Sequence, residues 1–320
     1  MTMQLPAVSR LVNVARRVRV RLDDLSATVE DRLVEGADVR DLQAQLSAAL
    51  YEVYHAGQRE SVPPPRRLRD PEMERRLADG MPHRRTTVRV TALPESARDT
   101  ERGREVLVVR DGVRVWVPES IVNVADEGAL LTVPACRPAV SPGFFLVHGS
   151  VIRPPETTAG RGPLLRVYVH LGSADQAIGV WSDMLGHLES RAVPYQAKVL
   201  SAAPLFPRRD ALVVYLAASE AGLAQEIADV VSERHEVPSP TSAFAEQLVP
   251  GVGVAWEPAD PRRSRQGMSF GQHRAAVTAQ ALLDSAQTGV ALEEALGERL
   301  REAGVDPVNP ARNIGSPDLP

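Results

Sequence analysis

The pattern of residues 165–235 constrains the fold more than any other part of the sequence. Strand-like alternation covers 165–171, 195–200 and 211–216, and helical spacing covers 173–190 and about 219–235. Ser173 stands at the N-cap position of the first helix. This β-α-β-β-α order predicts an α+β fold, with an antiparallel or mixed sheet and helices packed on one of its faces.

The rest of the chain divides by composition. Leu42, Leu46 and Leu50 have helical spacing, and nine Arg against five acidic residues between 59 and 89 mark a locally basic stretch. We expect a helical N-terminal region at 1–62, a basic Pro/Arg-rich linker at 63–85, an α+β domain at 86–305 and a disordered tail at 306–320. Residues 237–267 are rich in Pro and Gly, which favours a lid or binding loop.

Overall composition excludes several classes of protein. The 320 residues carry 37 basic and 41 acidic side chains, for a net charge of −4, so the whole chain is not a polycation that binds nucleic acid. One cysteine, Cys136, excludes a disulfide framework, and no apolar run is long enough to cross a membrane. No motif has the spacing of a metal site or a phosphate-binding loop, so we expect neither metal nor cofactor and a cytoplasmic, soluble protein.

The basic residues are unusually distributed, because 36 of them are Arg and only one, Lys198, is Lys. Arginine can replace lysine as a solubilising charge but cannot act as a base near neutral pH. A single lysine in such a chain is therefore a candidate catalytic group. A coding bias toward arginine is the alternative explanation.

Strand alternation predicts a cluster around this lysine. Arg166, Tyr168 and His170 share one face of the first strand, and Gln196 and Lys198 share a face of the next. If the two faces match, a guanidinium, a phenol and an imidazole surround the lysine. The alternative is a solvent-exposed polar face, which is common in antiparallel sheets.

Such a cluster suits one kind of reaction. Guanidinium groups bind phosphate or carboxylate through paired hydrogen bonds, and a lysine crowded by other cations can accept a proton. A histidine or tyrosine can then protonate a leaving group. Together they suit elimination of an anionic group from a substrate with an acidic Cα–H.

Several stretches resemble the family named after the plant-pathogen type III effector HopA. They are SPGFF (141–145), RVYVH (166–170), VPYQAKVL (193–200), RRDALVVYL (208–216), LVPGVGVAWEP (248–258) and MSFGQHR (268–274). Bacterial relatives in class V lanthipeptide and thioamitide pathways work with a peptide kinase. The resemblance implies a lyase that eliminates phosphate from phosphoserine or phosphothreonine of a precursor peptide, leaving dehydroalanine or dehydrobutyrine. Its implied partners are that peptide with its leader, the kinase and a cyclase.

A more distant similarity, to phosphothreonine lyase effectors and the lyase domains of class III and IV lanthipeptide synthetases, implies roles for individual residues. Lys198 would be the base, and Arg166, Arg209 and Arg274 would bind phosphate. Those families have a histidine acid where this sequence has Tyr168, so the acid is either Tyr168 or His170. Candidates for substrate contact, suggested by the residues alone, are His273 near the start of a helix and two loop carboxylates, Glu246 and Glu257.

Two other functions remain open from the sequence. A non-catalytic module that binds a peptide or protein would use the polar strand face as a docking surface, because shared fold does not guarantee shared chemistry. A small-molecule phosphatase or isomerase would use the same anion pocket.

Overall fold

A computed structural model of the protein describes residues 7–60, 65, 67–101, 103–110, 112–125, 128–138, 140–152 and 162–320. Within these residues the chain forms helices and three antiparallel sheets, which confirms the predicted α+β class. The α-helices are α1 (Ala7–Ala15), α2 (Val39–Leu50), α3 (Pro71–Asp79), α4 (Ala174–Ser190), α5 (Leu223–Arg234), α6 (Phe270–Thr288) and α7 (Leu292–Glu302). None of the helices in the described ranges is long and apolar enough to span a membrane.

The strands follow the same chain order. They are β1 (Val18–Arg21), β2 (Ser26–Val29), β3 (Arg32–Glu35), β4 (Arg85–Thr100), β5 (Gly103–Arg110), β6 (Val113–Pro118), β7 (Val122–Ala125), β8 (Gly128–Pro134), β9 (Phe144–His148), β10 (Leu164–Leu171), β11 (Tyr195–Leu200), β12 (Arg208–Ala217), β13 (Glu246–Val249) and β14 (Val252–Trp256). The three sheets have the orders β1-β2-β3, β13-β14-β10-β12-β11-β9 and β6-β5-β4-β8-β7.

The six-stranded sheet contains the predicted β-α-β-β-α unit. Ser173 caps α4 by accepting a hydrogen bond from the backbone N–H of Gln176, as the sequence predicted. The apolar residues of β10, β11 and β12 share a core with α4 and α5 on one face of the sheet, where Trp181 and Val214 are fully buried. This burial supplies the main hydrophobic stabilisation of the unit.

The opposite face of this sheet is also covered. Tyr168 and Val213 belong to a second core, built with α2, α6 and a short π-helix at Tyr51–Ala56. The prediction that helices pack on one face only is therefore wrong, and so is the alternative of a solvent-exposed polar face. Because α2, the π-helix and α6 are all distant from β10 in sequence, the local pattern of β10 does not reveal that they cover this face.

The five-stranded sheet has a separate small core, which includes Val90, Val108 and Leu131. The alternation at 106–110 and 113–117 around Asp111-Gly112 predicts a β-hairpin, and Val106 does pair with Val117 across β5 and β6. Asp111, the first residue of that turn, lies outside the described residues.

Predictions for three segments that precede the tail are wrong. The N-terminal region is not helical throughout, because β1, β2 and β3 form a meander between α1 and α2. The short period-two run at 18–21 was masked by the helical composition around it. Within the expected linker, α3 begins after Asp70, whose side chain accepts hydrogen bonds from two N–H groups of the first turn; residues 61–64 and 66 lie outside the described part of the chain. The expected loop at 237–267 contains the β13–β14 hairpin.

The tail at 306–320 is folded against the body of the protein instead of disordered. The backbone N–H of Trp256 donates to the carbonyl of Ala311, and its indole N–H donates to the carbonyl of Pro317 at 2.9 Å. Val305 and Asn313 form an isolated β-bridge. Proline content suggested disorder, but these hydrogen bonds and the buried Ala311 order the segment.

Candidate functional site

Lys198 lies on the face of the six-stranded sheet that α2, α6 and the π-helix cover, the face that it shares with Tyr168 and Val213. It pairs with Val213 of β12, and Val213 pairs with Tyr168 of β10, so the three form one row across the sheet. The next row consists of Gln196, Tyr215 and Arg166. The register therefore confirms that Arg166 and Tyr168 share a face with Lys198.

Two aromatic rings flank the lysine. Its Nζ lies 4.3 Å from the ring centroid of Phe144 and 5.9 Å from that of Tyr215, distances at which a cation interacts with an aromatic face. Within the described residues, the ammonium group has no hydrogen bond or ion pair with a side chain of this protein. No carboxylate of that set lies within ion-pair distance of it, although the charge of Asp210 acts on it from farther away, so the ammonium group is free to contact a ligand.

Arg166, in contrast, already has an anionic partner. Its guanidinium binds both carboxylate oxygens of Glu257, with Nη2 2.6 Å from Oε1 and a shorter contact from Nε to Oε2. The guanidinium also lies 5.0 Å from the ring centroid of Tyr215 and is almost fully buried. A substrate phosphate can reach Arg166 only by displacing Glu257, or by binding beside it.

Tyr168 is a poor candidate for the proton donor. Its side chain is buried against the rings of His55 and Phe270, and its hydroxyl has no hydrogen-bond partner among the described residues, although the Arg166 guanidinium is close enough to interact with it electrostatically. Burial raises the pKa of the Tyr168 phenol far above its usual value. A hydroxyl that is buried and hard to ionise cannot readily donate a proton.

The charge of Arg209 acts on His170, and among the described residues neither side chain has a hydrogen bond or ring contact with Lys198, Phe144 or Tyr215. The Nδ1–H of His170 donates to the carbonyl of Pro240 at 2.7 Å. Arg209 donates to the carbonyl of Tyr54 at 3.3 Å. The carbonyl partner fixes the imidazole by the 240 loop, and burial lowers the pKa of His170.

Arg274, which the resemblance implies as a phosphate ligand, makes its hydrogen bonds to other groups of the protein. Its fully buried guanidinium makes four hydrogen bonds: to the carbonyls of Pro310 and Arg312, to Oδ1 of Asn313 and to Nδ1 of His273. Three of its hydrogen bonds thus go to the C-terminal segment and the fourth goes to His273. A helix-start arginine looks available in the sequence, and only the position of residues 310–313 shows that it is not.

His273 is also structural and does not touch the lysine face. Since the Arg274 guanidinium can only donate, Nδ1 of His273 must accept, so Nε2–H donates to Asp260 at 2.8 Å. Burial first, and then the neighbouring Arg274, lower the pKa of His273 to about 4. The ring is therefore neutral and holds Asp260 and Arg274 in place.

Glu246 is likewise engaged elsewhere. Its carboxylate accepts from Arg10 at 3.2 Å and from the amide of Asn309 at 3.4 Å, so it joins α1 and the C-terminal segment to β13. The sequence suggested contact with Lys198 or with substrate. In the structure, Glu246 instead links α1 to the C-terminal segment.

Sequence reasoning missed a buried polar network behind the lysine. Asp210 binds Arg208 with both carboxylate oxygens and accepts from the Tyr51 hydroxyl at 3.2 Å, and Nε2 of His55 lies 3.7 Å away. Nδ1 of His55 lies 2.8 Å from the Ser242 hydroxyl. Although burial raises the pKa of Asp210, the Arg208 charge and then His55 outweigh it, so the pKa is strongly lowered and Asp210 stays ionised.

The SFGQHR motif contains the residues that accommodate His55. A Cβ at Gly271 would lie 2.2 Å from Cδ2 of His55, so the glycine of SFGQHR leaves room for this ring. Phe270 of the same motif packs on it, with ring centroids 6.0 Å apart. The motif therefore builds the wall behind the lysine face and holds the C-terminal segment.

Tyr215 also borders an open groove of about 600 Å³. The groove continues past Gln196 and Glu257 to the C-terminal segment. Its lining residues are Gly162, Pro163, Leu164, Gln196, Tyr215, Glu257, Pro258, Ala259, Asn313, Ile314, Gly315 and Ser316. Clefts of this size hold small ligands or short peptide segments. Among the described residues, no group of three or more His, Cys, Asp or Glu side chains could hold a metal ion.

Comparison with known proteins places this site in a family. Residues 135–312 match the model of the HopA1 effector protein family. Two similar solved structures are effector proteins from Pseudomonas syringae, of pathovar tomato strain DC3000 and pathovar syringae strain 61. They are 19% and 20% identical to this chain and have a TM-score of 0.40.

The alignment with each structure covers 53% of this chain and 62% of the effector, so the chain spans less than two thirds of the effectors' length. No curated protein matches. The family match extends from just before β9 to residue 312, which includes Lys198, Tyr215, Arg274 and the groove-lining residues that precede 313. Because this match covers more than half of the sequence, the chain belongs to the HopA1 effector protein family.

Proposed function

We propose that the protein is a lyase that eliminates phosphate from phosphoserine or phosphothreonine in a peptide. The observation that carries the proposal is Lys198: the chain's single lysine lies on the same face as Arg166, between two aromatic rings and without an acidic partner in the described residues. A lysine kept only as a surface charge would not need this position.

The reaction follows from removal of one proton. A neutral Lys198 amine takes the proton from Cα of the phosphorylated residue, and the C–H electrons become the second bond between Cα and Cβ. The Cβ–O bond breaks, and phosphate leaves with its bonding pair. Cations near the leaving oxygen stabilise the charge that accumulates there. The products are a dehydroamino acid and inorganic phosphate.

Tyr215 is the phenol that suits the role of proton donor. It pairs with both Arg166 and Gln196 across the sheet, and its ring contacts the charges of Lys198 and Arg166. Unlike Tyr168, it lines the open groove. In this proposal Tyr215 replaces Tyr168 and His170, the two acids expected from the sequence.

The substrate of this reaction must already be phosphorylated. A kinase partner acting on a precursor peptide would supply it, as the resemblance to class V lanthipeptide pathways implies, and a cyclase would consume the dehydroamino acid. The groove beside Tyr215 offers space for residues that flank the reacting side chain.

Mass spectrometry of a phosphoserine-bearing precursor peptide tests the proposal. The wild-type protein should remove the mass of phosphoric acid, and Lys198→Ala should not. Lys198→Arg is the matched control, because it keeps the positive charge and the ring contacts but cannot act as a base. Elimination by either variant at the wild-type rate would contradict the role of Lys198, and a loss smaller by one water would mean hydrolysis, hence a phosphatase.

A non-catalytic binding module is the second candidate, and one observation favours it. Arg166 and Arg208 are both engaged by carboxylates of the protein itself, so neither is free to stabilise the charge of a leaving phosphate. A module of this kind would bind the phosphorylated peptide with no change in its mass, and Lys198→Ala would weaken binding without any effect on chemistry.

A further inference from the structure

The edge strands of the three sheets differ in how well they are protected from pairing with another chain. β1, β3, β7 and β13 are four residues long, and the outer edge of β9 is covered by residues 135–137, where the N–H of Arg137 donates to the carbonyl of Leu146 at 2.8 Å. β6 has six residues, and its register with β5 runs without a bulge. Shortness, cover and bulges are the usual protections of a sheet edge, and within the described structure β6 has none of them.

The outer edge of β6 presents unpaired backbone groups. Arg110 and Val113 face each other across the turn at 111–112, so Val113 and every second residue after it exchange backbone hydrogen bonds with β5. The N–H and C=O groups of Arg114 and Trp116 therefore point away from the sheet. Among the described strands, only β5 pairs with β6. These outward groups can form a ladder with one more strand.

The exposed side chains of β6 are mostly apolar. Val113 is 60% exposed, Val115 44% and Trp116 36%, and the guanidinium of Arg98 lies 4.2 Å from the centroid of the Trp116 ring. Single exposed apolar side chains are ordinary, but three on one strand edge favour contact with another surface. The five-stranded sheet precedes the residues that match the HopA1 family, so the shared fold of the family does not account for this surface.

A second β6 strand fits this edge. Two copies related by a two-fold axis run antiparallel, and opposed side chains lie on the same face, so the axis lies beside one residue that faces its own copy. An axis at Val115 places Arg114 opposite Trp116 of the second copy, where a guanidinium can stack on the ring, and Val113 opposite Val117. In this register every outward N–H and C=O of Arg114 and Trp116 finds a partner.

The neighbouring registers are less favourable. An axis at Arg114 would set two arginines directly opposite each other, and like charges there destabilise a strand pair. An axis at Trp116 would set Arg114 opposite Pro118, which has no N–H to donate, so each copy would lose one hydrogen bond of the ladder. The sequence of β6 therefore favours self-pairing about Val115.

We propose that β6 is a self-association site, at which two copies of this protein pair antiparallel with Val115 opposite Val115. Pairing joins the two five-stranded sheets into one and buries the exposed valines of both copies. The contact is one strand wide, below the roughly 1,200 Å² of a standard interface, so we expect a reversible dimer with a dissociation constant of about 10–100 µM. The inference is independent of the lyase proposal, because β6 contributes no residue to the groove or to the lysine face.

Sedimentation velocity of the full-length protein over roughly 1–300 µM tests the proposal, because the wild type should pass from monomer to dimer across this range. Val115→Glu should raise the dissociation constant about tenfold or more, since two glutamates then face each other at the centre of the ladder. Val308→Glu, the same change at a valine that is 68% exposed, is the matched control and should dimerise like the wild type. Val113→Glu, at the more exposed end of β6, should also weaken the dimer and keeps the test valid if Val115→Glu misfolds.

Two results would overturn the proposal. A wild-type protein that stays monomeric at every concentration would leave β6 as an edge for a different chain. A dimer that both Val115→Glu and Val113→Glu leave unchanged would show that the copies associate through another surface.

Disulfide cross-linking tests the register. In a non-hydrogen-bonded antiparallel pair the Cα atoms lie about 4.5 Å apart, which a disulfide can bridge, so Val115→Cys should cross-link two copies under mild oxidation. Val113→Cys is the matched control, because the two copies of residue 113 would lie about 13 Å apart along the ladder. Cys136 is present in every variant, so the wild-type protein sets the background. Cross-linking by Val113→Cys and not by Val115→Cys would contradict the proposed pairing.

Discussion

Gly271→Ala tests whether His55 needs the space that the SFGQHR motif leaves for it. The added Cβ would lie 2.2 Å from Cδ2 and 2.4 Å from Cγ of His55, far inside van der Waals contact. The ring cannot turn away easily, because it is fully buried, its Nδ1 lies 2.8 Å from the Ser242 hydroxyl, and it stacks on Phe244.

The expected cost combines three effects. Overpacking of a rigid core costs about 1–3 kcal/mol, and loss of the His55–Ser242 hydrogen bond costs about 1 kcal/mol. Alanine in place of glycine within a helix returns at most ~1 kcal/mol. With the full return from alanine, the free energy of unfolding should therefore fall by about 1–3 kcal/mol.

Urea denaturation followed by circular dichroism measures this change. Gly186→Ala is the matched control, since Gly186 is exposed in α4 and a Cβ there would have no described atom within 4 Å, so that variant should gain up to ~1 kcal/mol. His55→Ala combined with Gly271→Ala should cost less than the sum of the single variants, because removal of the ring relieves the clash. If Gly271→Ala proves as stable as the wild type, the packing argument for the motif is refuted.

Three other outcomes follow from the buried groups. Tyr168→Phe removes a buried hydroxyl that has no described partner, so stability should stay unchanged or rise by up to ~1 kcal/mol, whereas Tyr51→Phe, which loses bonds to Arg208 and Asp210, should cost about 1–3 kcal/mol in the same urea assay. Tyr168→Phe should also keep elimination activity that Tyr215→Phe loses, and the reverse result would return the acid role to Tyr168. Arg274→Met should release the C-terminal segment, seen as faster proteolysis after residue 303, and cost about 3 kcal/mol or more because the carbonyls of Pro310 and Arg312 lose their donor; an unchanged cleavage rate would show that Arg274 does not hold the segment. His55 and His273 both have pKa values of about 4, lowered chiefly by burial from 6.5, so the unfolded chain binds more protons than the fold below pH 6.5 and stability is lost as pH falls from there toward 4. Each should cost about 2 kcal/mol between pH 7.5 and pH 5, and a His273→Gln variant that keeps the full pH dependence would contradict this assignment.

Much of the site's placement was predictable from local pattern, but its partners were not. Alternation put Arg166, Tyr168 and Lys198 on one face, and the register agrees. The local sequence pattern did not indicate that both carboxylate oxygens of Glu257 bind Arg166. Nor did it indicate that Tyr215 lies between Gln196 and Arg166 in the neighbouring row. A side chain's face follows from its parity in the strand, whereas its partner depends on which other segment crosses that face.

The N-terminal region and the tail show the same difference. Helical composition around residues 18–35 hid three short strands, since each is only four residues long and gains its stability from its neighbours in the meander. The tail looked disordered by its proline content, yet Arg274 and Trp256 fix it by hydrogen bonds to backbone carbonyls. Prolines lack a backbone N–H but keep the carbonyl that accepts such bonds.

The sequence by itself determined the β-α-β-β-α unit, the Ser173 cap and the face on which the only lysine lies. These follow from periods of two and 3.6 residues and from one capping side chain, which act within a few residues of the chain. Tertiary structure alone decided that Arg274 and His273 hold the C-terminal segment and that Gly271 makes room for His55. These contacts join segments far apart in sequence, and a side chain's local pattern carries no information about which distant segment will supply its hydrogen bonds and charges.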